Sequence, residues 1–210
     1  MRSYTHEGKD FPSVTTIIHI LGNDRLMQWA NIMGFRHKHI SAILEESAEY
    51  GTYAHEIARS VVDPNAPQAS INIPAKHLLR LRNLEKKIRA FTREHELVVE
   101  KTEFEMISPK LEYGGTLDMF GSITVKGVRY EDYILDWKTA KAVHSTMWLQ
   151  MGGYFRLAKE YGMHAKGAGI IRINDDAIRI NLIDEEELQK YSLAFLSLLD
   201  FYKFWGNRDN

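Results

Sequence analysis

The sequence predicts an α/β protein: a mixed β-sheet flanked by α-helices, in a single domain covering residues 1–210. Three observations carry that expectation. Apolar residues recur at three- and four-residue spacing from Leu78 to Phe91, and helical periodicity returns from Ser145 to Tyr161. Between these stretches lie short runs of β-branched and aromatic residues, broken by glycines and by Ser108-Pro109-Lys110. The resulting order, helices, several strands, helix, strand pair, helix, suits a sheet with helices packed against it.

Taken in order, Pro12-Ser13-Val14-Thr15-Thr16 opens a short buried helix, with the hydroxyl residues as its cap and Ile17, Ile18 and Leu21 as its apolar side. Leu26 to Glu56 reads as mostly helical, broken or redirected near Gly34 and Gly51. The three prolines Pro64, Pro67 and Pro74 make Asp63–Pro74 a loop. A long helix follows, built on Leu78, Leu81, Leu84, Ile88 and Phe91. Short strands are expected at Leu97–Glu100, Thr102–Ile107, Thr116–Phe120, Ile123–Val125 and Tyr133–Lys138. Gly162 is a natural stop for the next helix. Ala168–Ile173 and Ala177–Leu182 flank Asn174-Asp175-Asp176 as a hairpin, and Asp184 with Glu187 resembles a capping box for a last helix ending near Trp205.

A chain of 210 residues buries a sizeable core, and 44% hydrophobic with 26% charged residues is ordinary for a globular protein. No apolar run reaches the length of a membrane span, and the N-terminus lacks the apolar centre of an export signal, which favours an intracellular, cytoplasmic protein. With no cysteine there is no disulfide, no thiolate zinc site and no cysteine-ligated iron–sulfur cluster. A net charge of −1 gives no global pull on polyanions, so contact with nucleic acid would rest on local charge. From Lys76 to Arg93 seven basic residues face one acid, Glu85, and from Glu94 to Glu112 six glutamates face Lys101 and Lys110. A solvated basic helix face explains the first segment, and a phosphate-tracking surface is the alternative.

The residues that carry chemistry lie in two strands. Asp136 and Lys138 are two apart, so period-2 alternation turns both to one face and Trp137 to the other. Asp118 closes Gly114-Gly115-Thr116-Leu117-Asp118. Two acids and a lysine on adjacent strands at the exposed edge of a sheet can hold a hard divalent cation and orient or deprotonate a water, which is what phosphodiester hydrolysis needs. His55-Glu56 is not a zinc-peptidase pair, because position 59 is Arg59. His37 and His39, two apart in a helical stretch, are poor joint ligands. Lys141 and Arg156 could touch phosphate, though solvated surface roles suit them better.

The ordered set Pro12-Ser13-Val14-Thr15, Gly51-Thr52-Tyr53-Ala54-His55, Glu103, Tyr113–Asp118, Asp136-Trp137-Lys138-Thr139 and Gln150-Met151-Gly152-Gly153-Tyr154 resembles the PD-(D/E)XK nuclease superfamily, in its RecB-like and CRISPR-adaptation-type exonuclease branch, which includes phage enzymes. The resemblance implies a restriction-endonuclease-like sheet and a Mg²⁺- or Mn²⁺-dependent deoxyribonuclease, an exonuclease working on single strands or DNA ends in replication, recombination or repair. It implies Asp118, Asp136 and Lys138 as catalytic, His55, Asp118, Asp136 and the Trp137 carbonyl as metal ligands, and Gln150 and Tyr154 as DNA-binding, with Glu103 as a further candidate. Gln150 and Tyr154, four apart, share a helix face, where amide hydrogen bonds and a stacking ring are available; a core position for Tyr154 is the simpler alternative. Some relatives carry a cysteine-ligated iron–sulfur cluster, which this chain cannot. No nucleotide-binding glycine loop is present, so any unwinding would come from a helicase or recombination partner. A nuclease-fold module that binds nucleic acid without cutting is the competing expectation.

Overall fold

The computed structural model describes residues 3–22, 40–63, 73–174 and 176–206. The expectations placed on Leu26 and Gly34, on His37 and His39, on Pro64 and Pro67 and on Asp175 lie outside those residues. Strands β1 (Ser3–His6) and β2 (Lys9–Pro12) form a hairpin that the sequence pattern does not announce. Its two-residue turn, Glu7-Gly8, has both φ angles positive (49° and 78°), the conformation that matches strand twist. Ser13 then caps α1 (Val14–Ile18), accepting the Thr16 N–H at 3.0 Å.

Helix α2 (Ile40–Val62) runs through Gly51 without a break. The glycine faces Thr139, and a Cβ at Gly51 would make an ordinary contact with its hydroxyl at 3.5 Å. Helix α3 (Ala75–Glu94) buries His77, Leu81, Leu84, Ile88 and Phe91 as its periodicity requires, with Leu78 half-buried.

The main sheet has the order β3 (Val98–Ser108), β4 (Tyr113–Val125), β5 (Val128–Lys138), β6 (Gly167–Ile173), β7 (Ile178–Asp184). All neighbours are antiparallel except β5 and β6, whose parallel pairing needs the crossover supplied by α4 (Ser145–Glu160). The four short strands expected between Leu97 and Val125 are two long ones, each with a register shift, between Val99 and Lys101 and between Gly121 and Ile123. β5 also begins five residues earlier than expected, because Lys126 (φ 51°) and Gly127 (φ 77°) make a second tight hairpin turn. Asp184 accepts the Glu187 N–H at 2.9 Å and starts α5 (Glu185–Gly206).

Each face of the sheet has its own core. Helices α1, α4 and α5 cover Met106, Leu117, Phe120, Ile134, Ala168 and Ile170, while α2 and α3 cover Met119, Ile123, Leu135, Trp137, Ile171 and Ile173. The small hairpin clips onto β4 through Tyr4, whose hydroxyl meets the Thr116 hydroxyl at 2.9 Å and whose ring fills the space a Cβ on Gly114 would need. No helix among the described residues is long and apolar enough to cross a membrane.

Candidate active site

The acids lie inside the sheet and not at its edge, since β4 and β5 are its second and third strands. What opens the site is a parting of those strands. Their pairing stops at Met119 with Leu135, after which β4 continues against β3 and β5 continues against β6 as far as Lys138 with Arg172. The Trp137 N–H therefore has no main-chain acceptor on β4, and the Asp118 carboxylate takes that role at 3.0 Å. Side-chain alternation along β4 also resets here: Leu117 and Phe120 join one core, Met119 the other.

Four charges meet in this split. His55, on the inner side of α2, has its Nδ1 3.5 Å from Asp118 Oδ2, and the Lys138 ammonium is paired with Asp136. Asp136 is 1% exposed. Burial, with the Asp118 charge, pushes its carboxyl up to about 6 against the pull of Lys138. Burial also acts on Asp118, but the His55 hydrogen bond and charge, the Lys138 charge and the Trp137 N–H outweigh it and hold its carboxyl below the usual range. Burial opposes charge on His55 and Lys138 too, and in each the facing carboxylates win, so both are raised and favour their cationic forms.

This arrangement fits a divalent cation in one respect. Among the described residues neither oxygen of the buried Asp136 finds a hydrogen-bond donor of good geometry, and the Lys138 ammonium is the one cation paired with it. A buried carboxylate normally collects several donors, and one that does not is a cation ligand in waiting. Among the described residues no three His, Asp or Glu side chains already stand in ligating geometry. His55 stands against Asp118 and the Lys138 ammonium against Asp136.

The other expected residues fall around this centre. Glu103 is exposed on β3, in the register position facing Asp118 between the pairs Thr102–Met119 and Phe104–Leu117. Its φ of 45° is a left-handed conformation that a non-glycine residue holds at a cost of about 1–3 kcal/mol. Partial burial and the Asp118 charge raise its carboxyl, and Arg59, one helical turn beyond His55, opposes them. Gln150 and Tyr154 do share a face of α4, and the Gln150 amide donates to the Tyr154 hydroxyl at 2.8 Å. The ring itself is core: Tyr154 is 5% exposed and fills the space above Gly115, where a Cβ would come within 2.7 Å of it. A stacking surface is thus not what Tyr154 offers; its hydroxyl tethers the half-buried Gln150. Trp137 contributes its N–H to the site, and its indole packs edge-on to Phe91 in the opposite core.

The basic segment of α3 is partly engaged within the molecule. Lys76 pairs with Glu49 at 2.7 Å, Arg89 with Glu85 at 2.8 Å, Arg93 donates to the Arg89 carbonyl, and Arg80 lies 3.5 Å over the Tyr50 ring. Sequence reasoning missed Arg59 and Arg172. The i+4 spacing from His55 was the available signal for Arg59. Arg172 had none, because only the strand register brings it beside Lys138.

Neither the scan against protein-family models nor the search of curated proteins gives a match. Among solved structures the chain is similar to an alkaline exonuclease from Laribacter hongkongensis, at 10% identity and a TM-score of 0.36, covering 75% of this chain and 93% of that one. It is also similar to the protein SSO0001, at 14% identity and a TM-score of 0.30, covering 69% of this chain and 70% of that one.

His55 is the residue on which the packing and ligand readings differ most. His55→Ala should weaken Mn²⁺ binding at least about tenfold, the lower end of what losing even an outer partner of a metal site costs. Calorimetric titration of both proteins with Mn²⁺ measures it; equal affinities would make His55 a packing residue.

Proposed function

We propose that this chain is a metal-dependent deoxyribonuclease that hydrolyses phosphodiester bonds at DNA ends. The observation that carries the reading is the pair Asp118 and Asp136, two carboxylates held within a parted sheet, with the Lys138 ammonium as the sole partner of the buried Asp136 among the described residues. Packing alone does not ask for this, since an unsatisfied buried carboxylate costs stability.

His55, Asp118, Asp136 and the main-chain carbonyl of Trp137 would hold a Mg²⁺ or Mn²⁺ ion. When bound, such an ion supplies charge stabilisation at the phosphate and favours an ionised nucleophile. The remaining tasks belong to the chain. Asp118 is fixed by the Trp137 N–H, so one of its oxygens has a set direction. Lys138 keeps its proton while paired with Asp136 and has charge ready for a phosphate oxygen or a nearby water once that pair opens. Gln150, tethered by Tyr154, offers amide hydrogen bonds at the α4 side of the cleft. Because Asp136 must be ionised and His55 neutral to bind an ion, binding should release protons and strengthen as pH rises through about 6.

The test is digestion of end-labelled single- and double-stranded DNA with Mg²⁺ or Mn²⁺, against EDTA, with Asp118→Ala as the inactive control. Shortening from labelled ends that requires the cation supports the reading. Full cleavage in EDTA, or by the Asp118 variant, overturns it; tight DNA binding with no cleavage under any cation would make the chain a silent nuclease-fold binding module.

A further inference from the structure

The sheet register places three cations in a row. Lys138 on β5 is the partner of Arg172 on β6, and Arg172 is the partner of Arg179 on β7. Residues directly opposite one another in adjacent strands project from the same face, so the three side chains stand side by side. That face is the one carrying Ile134, Ala168 and Ile170, which α4 and α5 cover further back along the strands. At the row the cover has ended: Arg172 is half-buried and Arg179 exposed on the edge strand.

Only the first cation is neutralised. Lys138 has Asp136, whereas among the described residues neither Arg172 nor Arg179 has a carboxylate within ion-pair distance. Arg172 donates from Nη1 to the Lys141 carbonyl at 2.5 Å, and its Nε is buried with no acceptor. Like charges set directly opposite across a ladder are destabilising, and this sheet carries two such steps in succession. An edge strand gains protection from a single exposed arginine, but that does not account for a second one beside it.

We propose that Arg172 and Arg179 form a phosphate track that carries a DNA strand from the cleavage site beside Lys138 across β6 and β7 to the sheet edge. The proposal rests on the nuclease reading above and adds the substrate's route to it. The row spans about 10 Å, roughly two strand spacings, which is too long for one phosphate and suits successive phosphates of a strand. It starts at the ammonium beside Asp136 and leads away from the buried core. Arginine suits the outer positions because its planar fork grips phosphate oxygens in pairs. The loop after Lys138 is shaped for the same purpose. Arg172 holds the Lys141 carbonyl and Asn174 the Ala140 carbonyl, at 3.3 Å, keeping the loop down beside the row, with the exposed Lys141 side chain next to it.

Binding of a labelled single-stranded oligonucleotide to the full chain, in Ca²⁺ and across a range of NaCl concentrations, tests this with Arg172→Gln, Arg179→Gln, the double variant and Asn174→Ala. Each glutamine should lower the log–log salt slope by about 0.7, and the pair by about 1.4, as expected for one and two lost single-strand phosphate contacts. Asn174→Ala loosens the loop without removing charge and should leave the slope unchanged. An unchanged slope in the double variant overturns the track, as does an Asn174→Ala defect equal to that of Arg172→Gln, which would reduce Arg172 to a loop anchor. Arg179→Gln removes an exposed side chain only, so its slope decides the matter if Arg172→Gln does not fold. If the glutamine variants lower the slope as expected but the parent never cleaves in Mg²⁺ or Mn²⁺, the nuclease reading falls and the track stands. Cleavage by the parent with an unchanged slope in the double variant does the reverse.

Discussion

Replacing Asp136 with Asn should abolish cleavage and, without a divalent cation, make the protein more stable. The loss follows from removing a carboxylate that would hold the ion: several kcal/mol of transition-state stabilisation is at least about 10³-fold in rate. The gain follows from burial. Asp136 is 1% exposed and its carboxyl lies near 6, above its unfolded value, so the folded state disfavours its charge. For a carboxylate raised in this way there is no penalty at a pH where both states are protonated. The penalty grows through the interval between the two pKa values and is complete above 6. Asp136→Asn should therefore stabilise at pH 8 and give nothing near pH 4. Set against the stranded Lys138, the gain should be about 1–2 kcal/mol, or roughly 3–6 °C in Tm. Thermal melts in EDTA at both pH values, with single-turnover cleavage in Mn²⁺, check both halves. A variant destabilised at pH 8 would mean that the Lys138 pair outweighs the burial of Asp136.

Lys138→Met carries the second large effect, with the opposite sign in stability. Lys138 is the cation beside a carboxylate that has no other donor, so its removal leaves Asp136 uncompensated. At pH 8 the variant should lose about 2–3 kcal/mol, somewhat less than a fully buried pair because Lys138 retains 19% of its side-chain exposure. Without Lys138 nothing so strong holds the Asp136 carboxyl down, so in the variant it takes up its proton at a higher pH than in the parent, and the loss should fade as the pH falls. Denaturant unfolding at pH 5.5 and pH 8 separates the two regimes. Cleavage in a single turnover should fall at least about 100-fold if Lys138 moves or holds a proton in the reaction, while DNA affinity in Ca²⁺ changes little because Asp136 already offsets this charge. A large affinity loss with an unchanged rate would assign Lys138 to phosphate positioning.

The helices and the β6–β7 hairpin were legible because their signals are local: the apolar period of α3, the Ser13 and Asp184 caps, the stop at Gly162. The long strands were misread at Lys101 in β3, where the register shifts, and at the glycines of β4. Gly121 looks like a strand end, yet a Cβ there would lie 2.1 Å from the Val98 carbonyl oxygen, so the residue permits close pairing within one continuous strand. Gly51 was misread as a break because glycine is a poor helix former, yet packing carries α2 straight through it. The β1–β2 hairpin went unseen because four-residue strands carry almost no periodicity, leaving Glu7-Gly8 as the one clue. In the site, the two-residue spacing of Asp136 and Lys138 fixed their common face, and the i+4 spacing of Gln150 and Tyr154 fixed theirs. The burial of the Tyr154 ring and the alignment of Lys138, Arg172 and Arg179 depend on packing and on register across distant segments, which no local pattern encodes.

The turn at Lys126-Gly127 bears on how the site assembles in time. It joins β4 to β5 directly, so Asp118 and the Trp137 N–H that it accepts are only 19 residues apart along the chain. Hairpins of this kind close in about 1–10 μs, whereas contacts between remote segments wait on larger loop-closure entropy. The two carboxylates are therefore kinetic neighbours, brought together while both are still in water and their charges cost little. His55 comes from α2 and Gln150 from α4, on opposite sides of the sheet, and each can join only when its helix docks. The same chain distances govern transient opening of the native protein: release of α2 would remove the histidine while leaving the two acids in place, so the proposed cation ligands form two separable groups, one local and one imported.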